Sequence, residues 1–152
     1  MKKSITTSII QAGLLAGTLD IAAACGMFWI RSGRDPMIVL KFVASGALGS
    51  DALSGGWGTN LLGLLFHFII AFSWTILFFV IYPKLPKINW IVLGLTYGVI
   101  VWLMMNLVVL PMTKITQRPF DLNQALIGTV VLMVAIGLPV SFFCGRYYAK
   151  PN

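Results

Sequence analysis

Four long apolar runs, at about 9–30, 61–82, 90–110 and 125–146, constrain this chain more than any other feature. An α-helix crosses a ~30 Å hydrocarbon core with about 20 predominantly apolar residues. Each run is therefore long enough to span a bilayer. The charge content removes the soluble alternative: 59% of the 152 residues are hydrophobic and only 10% are charged. A soluble domain carries roughly 25% charged residues and could not cover its surface with so few. The expected fold is all-α: an integral membrane bundle of four transmembrane helices, forming one membrane domain over 1–152.

The breaks between runs have local causes. Pro83 and Pro86 stop the second run and Pro111 the third, because proline lacks the N–H that would continue the ladder. Asp121 or Asn123 can cap the start of the fourth. Trp29 and Trp57 mark one interface; Tyr82, Trp90, Tyr147 and Tyr148 mark the other. The longest connection, 31–60, contains Asp35-Pro36, a cap followed by proline at a first helical position. Leu40, Val43, Ala44, Ala47 and Leu48 follow at helical spacing. This predicts a short amphipathic helix at about 36–48, lying in the interface or tucked partly into the bundle. Glycines 46, 49, 55, 56 and 58 permit tight turns before the second run.

Eleven Lys and Arg face only four acids, Asp20, Asp35, Asp51 and Asp121, for a net charge of +7. The cations lie in ones and twos between the runs, as flanks of membrane helices do. A nucleic-acid partner would need them clustered on a polar face, so none is expected. The lipid bilayer is the expected partner. Lys2, Lys3, Lys84, Lys87, Arg146 and Lys150 share one side; Arg31, Arg34, Lys41, Lys114 and Arg118 share the other. The positive-inside rule places both termini in the cytoplasm by that narrow excess. Ala22-Ala23-Ala24-Cys25 resembles a lipoprotein cleavage site. Asp20 inside the apolar stretch, and the apolar residues that continue to Ile30, argue against cleavage.

Cys25 and Cys144 fall near opposite membrane faces, roughly 20 Å apart by helical rise, which is too far for a disulfide. No CxxC or Cys/His cluster exists, so no metal and no cofactor are expected.

Polar residues inside the spans carry the functional evidence. An ionised Asp near a helix centre costs ~2.5–3.5 kcal/mol on insertion scales, so Asp20 should face the bundle interior. Gly13, Gly17, Asp20 and Ala24 share one helical face. Asn60, Gly63, His67, Ala71 and Trp74 form a matching face on the second run. An antiparallel hairpin brings Asp20 and His67 to depths within about 5–8 Å, which predicts a direct or water-mediated hydrogen bond. Asn106 lies toward the same side. The candidate intramembrane polar site is therefore Asp20, His67, Asn60 and Asn106. Gly13, Gly17, Gly63, Gly94 and Gly98 are candidate packing positions, and their small faces also suit self-association into a homo-oligomer.

Pro139, inside the fourth run, predicts a kink that frees the carbonyl of Ala135. Gly13-Leu-Leu-Ala-Gly17 and Gly94-Leu-Thr-Tyr-Gly98 hint at a repeated two-helix unit related by an axis along the membrane normal. Glycines recur so readily in membrane helices that chance is the simpler explanation.

Gly13 to Asp20, Ala44-Ser45-Gly46 and Leu62 to Phe72 resemble an uncharacterised bacterial family of four-helix inner-membrane proteins. Tyr82-Pro83-Lys84-Leu85-Pro86, Tyr97-Gly98 and Met105 to Pro111 belong to the same resemblance. More distantly, the centre of the chain and Pro119-Phe120-Asp121-Leu122 are similar to the YagU-like inner-membrane proteins. Both resemblances imply a multi-span inner-membrane protein, and neither supplies a reaction or a ligand.

Three readings of Asp20 and His67 remain open. They form a structural contact, worth ~0.6–2 kcal/mol, in a scaffold or accessory subunit. They line a pathway for protons, ions or a small molecule in a transport or permeation protein. Or they do acid–base chemistry, the weakest reading, since no nucleophile, oxyanion site or metal motif accompanies them.

Overall fold

The computed structural model describes residues 4–115 and 121–149; Lys2, Lys3, Gln117, Arg118, Pro119, Phe120 and Lys150 lie outside them. Every regular element among the described residues is helical: α1 (Ile5–Ser32), α2 (Met37–Leu48), α3 (Trp57–Ile81), α4 (Trp90–Met104), α5 (Leu122–Leu132) and α6 (Leu138–Tyr148). Four stretches are long and apolar enough to cross a membrane: Ile5–Ser32, Trp57–Lys84, Trp90–Met112 and Leu122–Tyr148. The chain is thus built as a multi-pass membrane protein.

Capping explains where the helices begin and end. Ser4 accepts from the Thr6 N–H and starts α1 four residues before the apolar run does. Gly33 ends it at φ 63°, a conformation that glycine adopts without strain, and its N–H bonds the Trp29 carbonyl. Asn89 caps α4 through the Ile91 N–H, and Asp121 caps α5 through Asn123 and Gln124. Helix α2 begins at Met37, one residue after the proline, and Asp35 accepts from the Met37 N–H at 2.9 Å.

Two prolines reshape the spans. Pro111 follows a π-helical segment, Met105–Val109, and Pro139 follows another, Met133–Gly137. A proline ring collides with the carbonyl four residues earlier, which is Leu107 or Ala135 here. Both carbonyls sit within the widened turns, where the looser winding accommodates the ring.

The helices form two antiparallel hairpins, α1 with α3 and α4 with α5–α6, and α1 also packs along α6. A dry core of Phe78, Phe79, Leu93, Tyr97, Val140 and Cys144 fills the half of the bundle nearest the termini. Tyr97 anchors it, donating to the Trp74 carbonyl at 2.6 Å while its ring meets Phe78. Cys144 lies within this core, Cys25 donates to the Pro36 carbonyl, and both thiols are free.

The helix in the long loop does not float at the interface. Gly63 of α3 meets the backbone of Leu40, with no room for a side chain between them. At the other end the Lys114 N–H bonds the Gly46 carbonyl at 3.1 Å. Helix α2 is thus pinned between α3 and the end of the third span.

Candidate functional site

The half of the bundle nearest the long loop encloses a cavity of about 440 Å³. Helix α1 contributes Asp20, Ile21 and Ala24; α3 contributes His67, Ile70, Ala71 and Trp74. Val39, Phe42, Val43 and Gly46 of α2 cover it, and Met105, Asn106 and Val109 from the first π segment close the far wall. The volume falls in the usual range for small-molecule sites, roughly 300–1,000 Å³. Asp20 and His67 are the only titratable side chains in the lining.

The structure brings Asp20, His67 and Asn106 together and leaves Asn60 out. Asn60 is buried on the face of α3 that carries Gly63, against α2, and its Oδ1 has no hydrogen-bond partner. Helical spacing puts Asn60 on the face of α3 that carries Gly63 and His67, and that spacing does not fix which part of the face borders the cavity.

Asp20 and His67 lie within coulombic reach of each other. Of the two forms expected, a direct or a water-mediated hydrogen bond, the direct one is not made. Nε2 of His67 instead lies 2.8 Å from the carbonyl of Gly17, one turn before Asp20. A carbonyl can only accept, so Nε2 carries the proton and donates it. The close approach of the two helices explains the substitution. Gly17 has no side chain, and the ring of Phe68 and the methyl of Ala71 come against its α-carbon, bringing that carbonyl within reach of the imidazole.

The other polar groups follow one pattern. Asn106 donates to the Trp102 carbonyl at 2.9 Å, and the Trp74 indole donates to the Met105 sulfur at 3.4 Å. Among the described residues, no donor reaches the Asp20 oxygens or Oδ1 of Asn106. Among the described residues Asn60 Oδ1 is the only buried side-chain nitrogen or oxygen left without a partner. The free acceptors of Asp20 and Asn106 are therefore not sealed off, and they border the cavity.

The candidate packing glycines all make close contacts inside the chain. Gly13 and Gly17 meet Phe72 and Phe68, and Gly94 and Gly98 meet the backbones of Gly137 and Met133. Their faces are filled by the protein's own helices, so self-association would have to use other surfaces. The contacts also share a register. In each hairpin two glycines one turn apart meet two residues one turn apart, in antiparallel order. Carrying that register along the helices pairs Asp20 with Val101, Ala24 with Met105, His67 with Leu132 and Ala71 with Ile136. Every one of these residues lines the cavity. The two hairpins thus share a glycine register, and the cavity lies between them, with both titratable groups on the first and, on the second, a lining that is apolar apart from Asn106 and Thr113. Val101, Met105, Leu132 and Ile136 escaped the sequence reading, and the paired glycines were the signal that could have found them.

The sequence model of one family matches residues 8–152, nearly the whole chain. The chain belongs to the family of unknown function DUF6789. No curated protein and no solved structure matches it. In this DUF6789 chain no group of three or more His, Cys, Asp or Glu could hold a metal among the described residues. What the cavity offers is binding chemistry: a carboxyl and an imidazole on the first hairpin, and on the second aliphatic and thioether surface interrupted by the Asn106 amide.

Proposed function

We propose that this protein binds a small solute inside the membrane, around Asp20 and His67, as a step in transport or permeation. The observation that carries the reading is the cavity between the two hairpins, with unpartnered acceptors at its wall. Parallel two-helix repeats that hold a site at their junction near mid-membrane are a common transporter arrangement. The resemblances and the charge distribution support a bacterial inner membrane with both termini in the cytoplasm. Reporters fused after Lys87 and after Arg118 should then report cytoplasm and the opposite compartment respectively.

One observation favours a second reading. The His67–Gly17 bond joins α1 to α3, as a contact in a non-transporting scaffold would. Cysteine accessibility in vesicles separates the two. Ala24→Cys and Val43→Cys, at the cavity wall, should react with a charged thiosulfonate when Cys25 is replaced by Ser. Leu14→Cys and Ile100→Cys, on exposed apolar faces outside the lining, should not. Equal protection at all four positions would favour the dry scaffold.

A further inference from the structure

The geometry points to an amphipathic ammonium compound, an organic amine with a compact apolar body, as the ligand of this cavity. The inference rests on the binding reading above and deepens it. Hydrogen-bonding capacity at the wall is lopsided. The His67 Nε2–H is spent on the Gly17 carbonyl, one Asn106 N–H on the Trp102 carbonyl and the Trp74 N–H on the Met105 sulfur. The Thr113 hydroxyl is spent too, donating to the Leu110 carbonyl. What remains open is mostly acceptor: the two oxygens of Asp20 and Oδ1 of Asn106. A carboxylate in apolar surroundings needs a counter-charge as well as a donor. An ammonium group supplies both in one atom. An anion would be opposed by Asp20, the only acid among the described lining residues. A neutral alcohol would supply a donor but no charge.

The opposite wall fixes the rest of the molecule. The repeat-related positions Val101, Met105, Leu132 and Ile136 offer no charge and no strong hydrogen-bonding group. A ligand that satisfies both walls has a cationic head on Asp20 and an apolar body toward the second hairpin. The Trp74 side chain also lines the cavity and adds apolar surface on the first hairpin.

Equilibrium dialysis of the purified protein in detergent, against empty micelles, tests this with three probes of one skeleton: 4-phenylbutylammonium, 4-phenylbutan-1-ol and 4-phenylbutanoate. The ammonium should bind at least about tenfold tighter than the alcohol, as a charge-assisted hydrogen bond implies, and the carboxylate weakest. Asp20→Asn should bring the ammonium down to the alcohol, and Asp20→Glu should keep the preference. Val43→Trp, which fills the cavity, should weaken ammonium and alcohol alike. Equal affinities for the two, both reduced by Val43→Trp, would overturn the ammonium assignment and leave the binding cavity standing. Affinities indifferent to Val43→Trp would remove the cavity reading itself. The wild-type ranking alone decides the matter if Asp20→Asn does not fold, because a preference for the carboxylate, or none, refutes the proposal.

Discussion

Gly137→Ala should open the crossing between the third and fourth spans. A β-carbon built on Gly137 would stand 2.8 Å from the carbonyl carbon of Gly94 and 3.2 Å from the Gly98 nitrogen, and closer still to the Gly94 oxygen. Ordinary contact begins at 3.4 Å, so the backbones must separate by at least about 0.6 Å. Backbone cannot swing aside as the end of a side chain can. A gap of 0.5–1 Å forfeits a quarter to a half of a dispersion contact; on the order of thirty atom pairs at ~0.1–0.2 kcal/mol each then lose about 1–2 kcal/mol. Overpacked cores lose ~1–3 kcal/mol, which agrees. Gly26→Ala is the matched control. Nothing lies within 4 Å of its β position in the interior of α1, so alanine there should be neutral or stabilise the helix by up to ~1 kcal/mol. Gly94→Ala separates the same two backbones, so adding it to Gly137→Ala should cost less than the sum of the single losses. Unfolding by SDS in mixed micelles, followed by tryptophan fluorescence, reads all four proteins. A Gly137→Ala protein as stable as Gly26→Ala would refute the close crossing.

Tyr97→Phe removes the donor to the Trp74 carbonyl at a buried site and should cost about 1 kcal/mol in the same assay; an unchanged midpoint would mean that the bond contributes nothing. The Asp121 carboxyl is held below the usual carboxylate range, first by the Gln124 backbone N–H, then by the Gln124 side-chain amide and the Asn123 N–H, with Arg31 adding a coulombic pull. A depressed folded-state value means that the cap is intact above the ordinary value of about 3.9 and is lost as pH falls through the depressed one. Carboxyl NMR in micelles should therefore give a midpoint below an ordinary Asp, with α5 amides fraying only under it. A midpoint at or above the ordinary value would refute the capping account.

The spans were legible because a bilayer imposes length and apolarity directly on sequence, and the proline breaks and aspartate caps act within a few residues. Their ends were less so. Ser4 and Asn89 extend or start helices through single side-chain bonds that a hydropathy reading passes over. The depth of a residue follows from 1.5 Å of rise per position, which is why Asp20, His67 and Asn106 emerged as neighbours. Rotation about the helix axis and the path of a loop are not fixed that way. Asn60 has a suitable depth and face, yet α2 lies across it, and the docking of α2 depends on Gly63 meeting Leu40 and on Lys114 meeting Gly46.

The His67–Gly17 bond shows how glycine placement decides more than packing. Asp20 and His67 were expected to satisfy each other, and had they done so both would have been consumed as a helix contact. Gly17 lets α3 come close enough for its carbonyl to take the imidazole proton, so the carboxylate one turn later keeps its lone pairs. In the second hairpin the equivalent glycine, Gly98, admits a backbone rather than a ring, and the positions matching Asp20 and His67 are Val101 and Leu132. The first hairpin thus holds Asp20 and His67 while the second holds a wall that is apolar apart from Asn106 and Thr113, with a π turn next to each proline contributing Met105, Asn106 and Ile136 to the lining. A repeat that kept its polar pair in both copies would make a symmetric cavity suited to a small ion held centrally. The asymmetry present here suits a molecule with two different ends.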